Sequence, residues 1–90
     1  MILREIKISL LNYINQPPKI HLYFEGDHAL YCDSGIIPGT TIFYNLKGEV
    51  CGIKINNPYD ITIEEWKDFK PLIPLELYEA MINWIRYKGF

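Results

Sequence analysis

Apolar and polar positions alternate most cleanly between residues 40 and 55. Thr40-Thr41-Ile42-Phe43-Tyr44-Asn45 and Val50-Cys51-Gly52-Ile53-Lys54-Ile55 flank Leu46-Lys47-Gly48-Glu49, a turn-forming stretch. Paired about that turn, Ile42, Tyr44, Cys51, Ile53 and Ile55 share one face, and Thr41, Asn45 and Lys54 share the other. The period of two predicts a β-hairpin with one core face and one wetter face.

A second hairpin is expected upstream. Ile20-His21-Leu22-Tyr23-Phe24 and Ala29-Leu30-Tyr31-Cys32-Asp33 flank Glu25-Gly26-Asp27-His28. This pairing puts Ile20, Leu22, Phe24, Ala29 and Tyr31 on one side, with His21, Tyr23, Leu30 and Cys32 on the other. Both sides are largely apolar, which an antiparallel strand with one wet face would not be. The hairpin is therefore expected either to be covered twice or to meet a partner. Four strands in chain order suggest an antiparallel meander.

The flanking segments change period. Over residues 2–15, Glu5, Ser9, Asn12 and Gln16 fall on one helical stripe, and Leu3, Ile6, Leu10, Tyr13 and Ile14 on the opposite one. Ile6, Ile8 and Leu10 also alternate as a strand would; the length of the segment favours an N-terminal helix. Thr62-Ile63-Glu64-Glu65 has the form of a capping box and predicts a short helix over about 62–69. Pro74 suits the first turn of a last helix. In it Glu76, Glu79, Asn83 and Arg86 form a polar stripe, with Leu77, Tyr78, Met81, Ile82, Trp84 and Ile85 covering most of the rest. Gly89 suits the position just beyond its end. The expected fold is α+β: a four-stranded antiparallel β-meander packed by a C-terminal α-helix, with a short helix near 62–69 and an N-terminal helix. Ninety residues make a single domain, 1–90.

Composition narrows the function. The chain has 9 basic and 11 acidic residues and a net charge of −2. It holds no basic run of the kind that neutralises a phosphate backbone, which weighs against nucleic acid as a partner. No apolar stretch is long enough to span a bilayer, and Arg4 and Glu5 interrupt the start, so neither a membrane span nor a secretory signal is expected. A cytoplasmic location follows, in which Cys32 and Cys51 stay reduced. The two lie far apart with no Cys-x-x-Cys spacing, and they read as small hydrophobes rather than metal ligands.

The segments around the turns resemble a known family. Asp27-x-Ala29-Leu30-Tyr31, followed by Gly39, Ile42, Tyr44, Gly48, Val50, Gly52, Ile53, Lys54 and Ile55, is similar to a family of short bacterial β-hairpin domains of unknown function. The resemblance covers residues 20–57 and implies a fold rather than an activity. The family's acids beside the second tyrosine are Phe43 and Asn45 here, and its glutamate in the last strand is Lys54.

Few residues suggest chemistry. In the expected register His21 faces Cys32, which would give half of a metal site or a thiol beside an imidazole. His28 in a turn is a second candidate base. Asp27, Asp33, Glu25 and Glu49 fall near hairpin ends, where acids also serve turns. No Gly-rich phosphate loop and no nucleophile elbow occurs. No cofactor is implied.

Aromatic residues are the informative excess, with seven Tyr, four Phe and two Trp. Tyr and Trp are enriched at interfaces, because they bury large area and keep a polar handle. Tyr23, Tyr31, Trp66, Trp84 and Tyr87 are the candidate partner-binding residues. The favoured function is a non-catalytic protein-binding module: a regulator, accessory subunit or inhibitor that docks on a larger protein, with a homodimer as a further option. An antitoxin or a phage-encoded inhibitor of a defence complex fits the same pattern. The alternatives are a small metal-dependent hydrolase using His21 or His28 and a binder of single-stranded nucleic acid.

Overall fold

A computed structural model describes residues 5–12 and 14–87. Five strands, β1 (Ile6–Leu11), β2 (Lys19–Phe24), β3 (Tyr31–Asp33), β4 (Thr40–Tyr44) and β5 (Val50–Asn56), precede a 3₁₀ turn (Pro58–Asp60) and two helices, α1 (Ile63–Lys67) and α2 (Leu75–Tyr87). The fold is α+β. Its strands form one antiparallel sheet in the order β1-β2-β5-β4-β3.

Three expectations change. The segment read as an N-terminal helix is strand β1 across its described core. Ile6, Ile8 and Leu10 pair with Phe24, Leu22 and Ile20, so the period of two extends the sheet's apolar face. Leu3 and Tyr13, two members of the helical stripe, lie outside the described residues. The sheet also has five strands rather than four, and it is not a meander. β2 ends at Phe24 and does not pair with β3. Instead β5 enters between β2 and β4, with Ile20 opposite Ile55 and Leu22 opposite Ile53. β3 lies on the far edge, with Cys32 opposite Phe43. β2 lies inside the sheet between β1 and β5; Ile20, Leu22 and Phe24 are buried on the helix side, while Lys19, His21 and Tyr23 on the other face are half-buried.

The β4–β5 hairpin forms as expected, with Ile42 opposite Ile53 and Thr40 opposite Ile55. Asn45 organises its turn: the Asn45 side-chain oxygen accepts from the backbone N–H of Lys47 and of Glu49, each at 3.0 Å. Gly48 supplies the left-handed φ of 79° that the turn needs. A bulge follows, because Phe43 faces Gly52 while Tyr44 faces Val50. The extra residue changes which side each neighbour takes. Val50 packs on the core, and Cys51 lines a cavity on the opposite face. Cys51 therefore does not share the core face of Ile53 and Ile55.

Both helices lie on one side of the sheet. Thr62 caps α1 with the full capping box: Glu65 N–H donates to the Thr62 hydroxyl at 3.2 Å, and the Glu65 carboxylate accepts from Thr62. The expected helix over 62–69 is α1 followed by turns. In α2 the stripe of Glu76, Glu79, Asn83 and Arg86 is exposed, while Leu77 and Met81 are fully buried. Gly89, the expected end of that helix, lies outside the described residues. The core forms where Ile20, Leu22, Phe24, Ile53 and Ile55 meet Trp66, Phe69, Ile73, Leu77 and Met81. The Trp66 and Phe69 rings meet at 5.6 Å. Burial of this apolar area is the main stabilising term, worth roughly 1.5–3 kcal/mol for each large side chain.

Candidate docking surface

Among the described residues, no helix covers the other face of the sheet. Strand alternation and register fix its occupants. One row runs Lys7, Tyr23, Gly52, Phe43, Cys32; the next runs Ser9, His21, Lys54, Thr41. At the centre the His21 ring lies 4.9 Å from Tyr23 and 5.3 Å from Phe43, tilted by 39° and 44°. All three side chains are half-buried.

Gly52 is the floor of this cluster. It lies opposite both Tyr23 and Phe43. A Cβ there would meet the Leu22 carbonyl oxygen and Tyr23 Cβ, each at 3.1 Å. The missing side chain lets the two rings close over the strand.

Charges of both signs frame the aromatic centre. Lys54 lies beside His21, and Lys19 lies at the same end of β2. At the other end Lys7 Nζ is 3.7 Å from Glu25 Oε2. Glu5 sits across from Glu25, whose backbone N–H donates to the Glu5 carbonyl at 2.8 Å. A shared hydrogen bond raises the Glu5 carboxyl above its usual range and lowers that of Glu25, which Lys7 also favours as the anion. Burial holds the His21 imidazole below its ordinary pKa, and the Lys54 charge adds to this. On the open side of Thr41, its hydroxyl and that of Ser34 are 3.0 Å apart.

The chemistry-bearing residues are arranged differently from the expected register. His21 has Ser9 and Lys54 as its strand neighbours, not Cys32. Cys32 is exposed beyond Phe43. It is Cys51 that approaches His21: both line a cavity of about 210 Å³ with Tyr23, Asp27, His28 and Phe43. Burial, then the Asp27 charge, pushes the Cys51 thiol above its ordinary pKa, which keeps it protonated and poorly nucleophilic. Among the described residues, no three of His, Cys, Asp and Glu come together as a metal site. Asp27, His28 and Glu49 line a larger cavity of about 520 Å³ between the two turns. Asp33 instead accepts from the Gly35 backbone N–H at 2.8 Å, and Glu25 pairs with Lys7. The four acids therefore do not converge.

The candidate partner-binding residues scatter. Tyr23 belongs to the open face. Tyr31 is exposed on edge strand β3, stacked on Tyr44 at 5.5 Å. Trp66 is 1% exposed and is a core residue instead of a surface one. Trp84 is half-buried against the core. Tyr87 ends α2, and its side chain lies outside the described ones. Sequence reasoning passed over Phe43, although Phe43 alternates with Ile42 and Tyr44 and so belongs to the wetter face of the hairpin.

Compared with protein-family models, curated proteins and solved structures, the chain finds no match in any of the three. Among the described residues no helix is long and apolar enough to cross a membrane.

Proposed function

We propose that this chain is a non-catalytic protein-binding module that docks on a larger protein through the open face of its sheet. One observation carries the reading: His21, Tyr23 and Phe43 form a half-buried aromatic centre over Gly52 on a face that no described helix covers. Protein interfaces concentrate their energy in such a centre and surround it with a polar rim. The rim here has both signs, with Lys19 and Lys54 at one end and Glu5, Glu25 and Asp27 at the other, where Lys7 pairs with Glu25. A protein partner can match that division. A phosphate backbone would favour lysines throughout.

The test is photo-crosslinking. A benzophenone amino acid is placed at Tyr23 in one variant and at Glu79, on the exposed stripe of α2, in another. Each is irradiated in a lysate of the source cells at about 0.5 M salt, where contacts to phosphate are largely screened. The Tyr23 probe should trap one discrete protein and the Glu79 probe should not. Equal labelling from both positions, or nucleic acid trapped at Tyr23, would overturn the reading.

A further inference from the structure

We propose that β1 is a self-pairing edge, through which two copies of the chain join their sheets about a two-fold axis at Ser9. The sheet has two edges, β1 and β3. Natural proteins blunt an edge by making it short, bulged or charged. β3 is protected in this way: it has three residues and ends at Asp33. β1 has six residues, Ile-Lys-Ile-Ser-Leu-Leu, with no proline and no bulge. Its single charge is drawn back onto its own sheet, where Lys7 pairs with Glu25.

The direction of the backbone groups follows from one bond. Glu25 N–H donates to the Glu5 carbonyl, so Glu5 turns its N–H and C=O towards β2. Antiparallel ladders alternate, so Lys7, Ser9 and Leu11 do the same. Ile6, Ile8 and Leu10 then aim their N–H and C=O groups out of the edge. Ile8 and Leu10 also leave much of their side chains in solvent, 44% and 39% exposed, on the side of the sheet where the helices pack. α2 lies over β2, one strand further in, and leaves them uncovered.

A second copy satisfies both deficits. With the axis at Ser9, Ile8 pairs with Leu10 of the second copy and Leu10 with its Ile8. Each outward N–H then meets an outward C=O, and the two exposed apolar side chains cover each other. Ser9 meets Ser9 of the second copy in a non-hydrogen-bonded pair, the closer of the two kinds, where a small side chain fits best. Lys7 meets Leu11, so no like charges are opposed. An axis at Lys7 would set lysine against lysine.

The proposal is tested by sedimentation velocity from roughly 1 µM to 1 mM, the range over which modest interfaces saturate. The full chain should pass from monomer to dimer. Leu10→Pro removes an outward N–H at an edge position that tolerates proline and should weaken the dimer at least about tenfold, with circular dichroism unchanged. Should that variant fail to fold, Ser9→Lys places two lysines on the axis and should have the same effect. In a Cys32→Ser background, Ser9→Cys should form a cross-linked dimer under copper–phenanthroline and Ile8→Cys should not. A chain that stays monomeric throughout, a dimer indifferent to both β1 variants, or faster cross-linking through Ile8→Cys would overturn the proposal. Ser9 belongs to the open face beside His21, but Ile8 and Leu10 lie on the helix side of the sheet, so Leu10→Pro separates the dimer from the docking face. Its loss of dimer with Tyr23 crosslinking retained counts for β1 alone.

Discussion

His21 and Tyr23 sit two residues apart on β2, and their rings meet at 4.9 Å on the open side of the sheet. The contact shields the imidazole, and Lys54 across the strand pair opposes its protonation. A histidine whose folded pKa is lowered binds fewer protons folded than unfolded. Stability from this group is therefore present above its ordinary range and is lost as the pH falls through it. Urea midpoints taken at about pH 8 and about pH 5 should drop on acidification. His21→Gln should lessen the drop, and Lys54→Gln should lessen it by a smaller amount. Equal slopes for the parent and His21→Gln would remove His21 as the cause.

Gly52→Ala should destabilise the fold by roughly 1–2 kcal/mol. The added methyl meets a backbone oxygen at 3.1 Å, and that oxygen cannot rotate away as a flexible side-chain end could. A denaturant melt gives the magnitude. A neutral or stabilising result would mean that β2 and β5 have slack at this point.

Leu77 and Leu75 are two residues apart in α2 but lie in opposite surroundings, fully buried and 55% exposed. Leu77→Ala should cost about 2–5 kcal/mol through lost burial and the cavity left behind. Leu75→Ala should stay within about 0.5 kcal/mol. Comparable losses at both sites would contradict the packing of α2.

Thr62→Ala removes the acceptor for Glu65 N–H and should cost about 1 kcal/mol. Glu65→Ala should cost less, because it breaks the reciprocal half of the box, whose contact to Thr62 N–H is 3.3 Å long and solvent-exposed. A thermal melt of each variant checks the order.

The elements that the sequence made legible are those whose signal is local. The β4–β5 hairpin carries its alternation and its glycine turn within sixteen residues (40–55), and α1 carries its cap within four. The Ile6-Lys7-Ile8-Ser9-Leu10 run satisfied two periods at once, and only its pairing with β2 decides between them. The β2–β5 ladder joins residues as distant in the chain as Lys19 and Asn56, and no local pattern marks such a pairing. The apolar character of both sides of β2 was the available clue. It pointed to a covered or partnered strand; the helices cover the side of Ile20, Leu22 and Phe24, and the side of His21 and Tyr23 has no described helix over it. The open face was legible in part: His21 and Tyr23 were placed together, but Phe43 joins them only through β5. Trp66 was misplaced because a tryptophan's composition suits a core and an interface equally.

The last strand in the chain is also the middle of the sheet. β1 with β2, and β3 with β4, are two hairpin-like units whose backbones are hydrogen-bonded into one sheet through β5. As the chain is synthesised, β2 and β4 wait for the strand that lies between them, and the helices that roof the core come later still. Such an order leaves the two pairs unjoined until β5 is in place. It makes the closing of the long loop between β2 and β5 the slow event in folding, and a chain halted before Val50 would hold two fragments of sheet with no strand to join them.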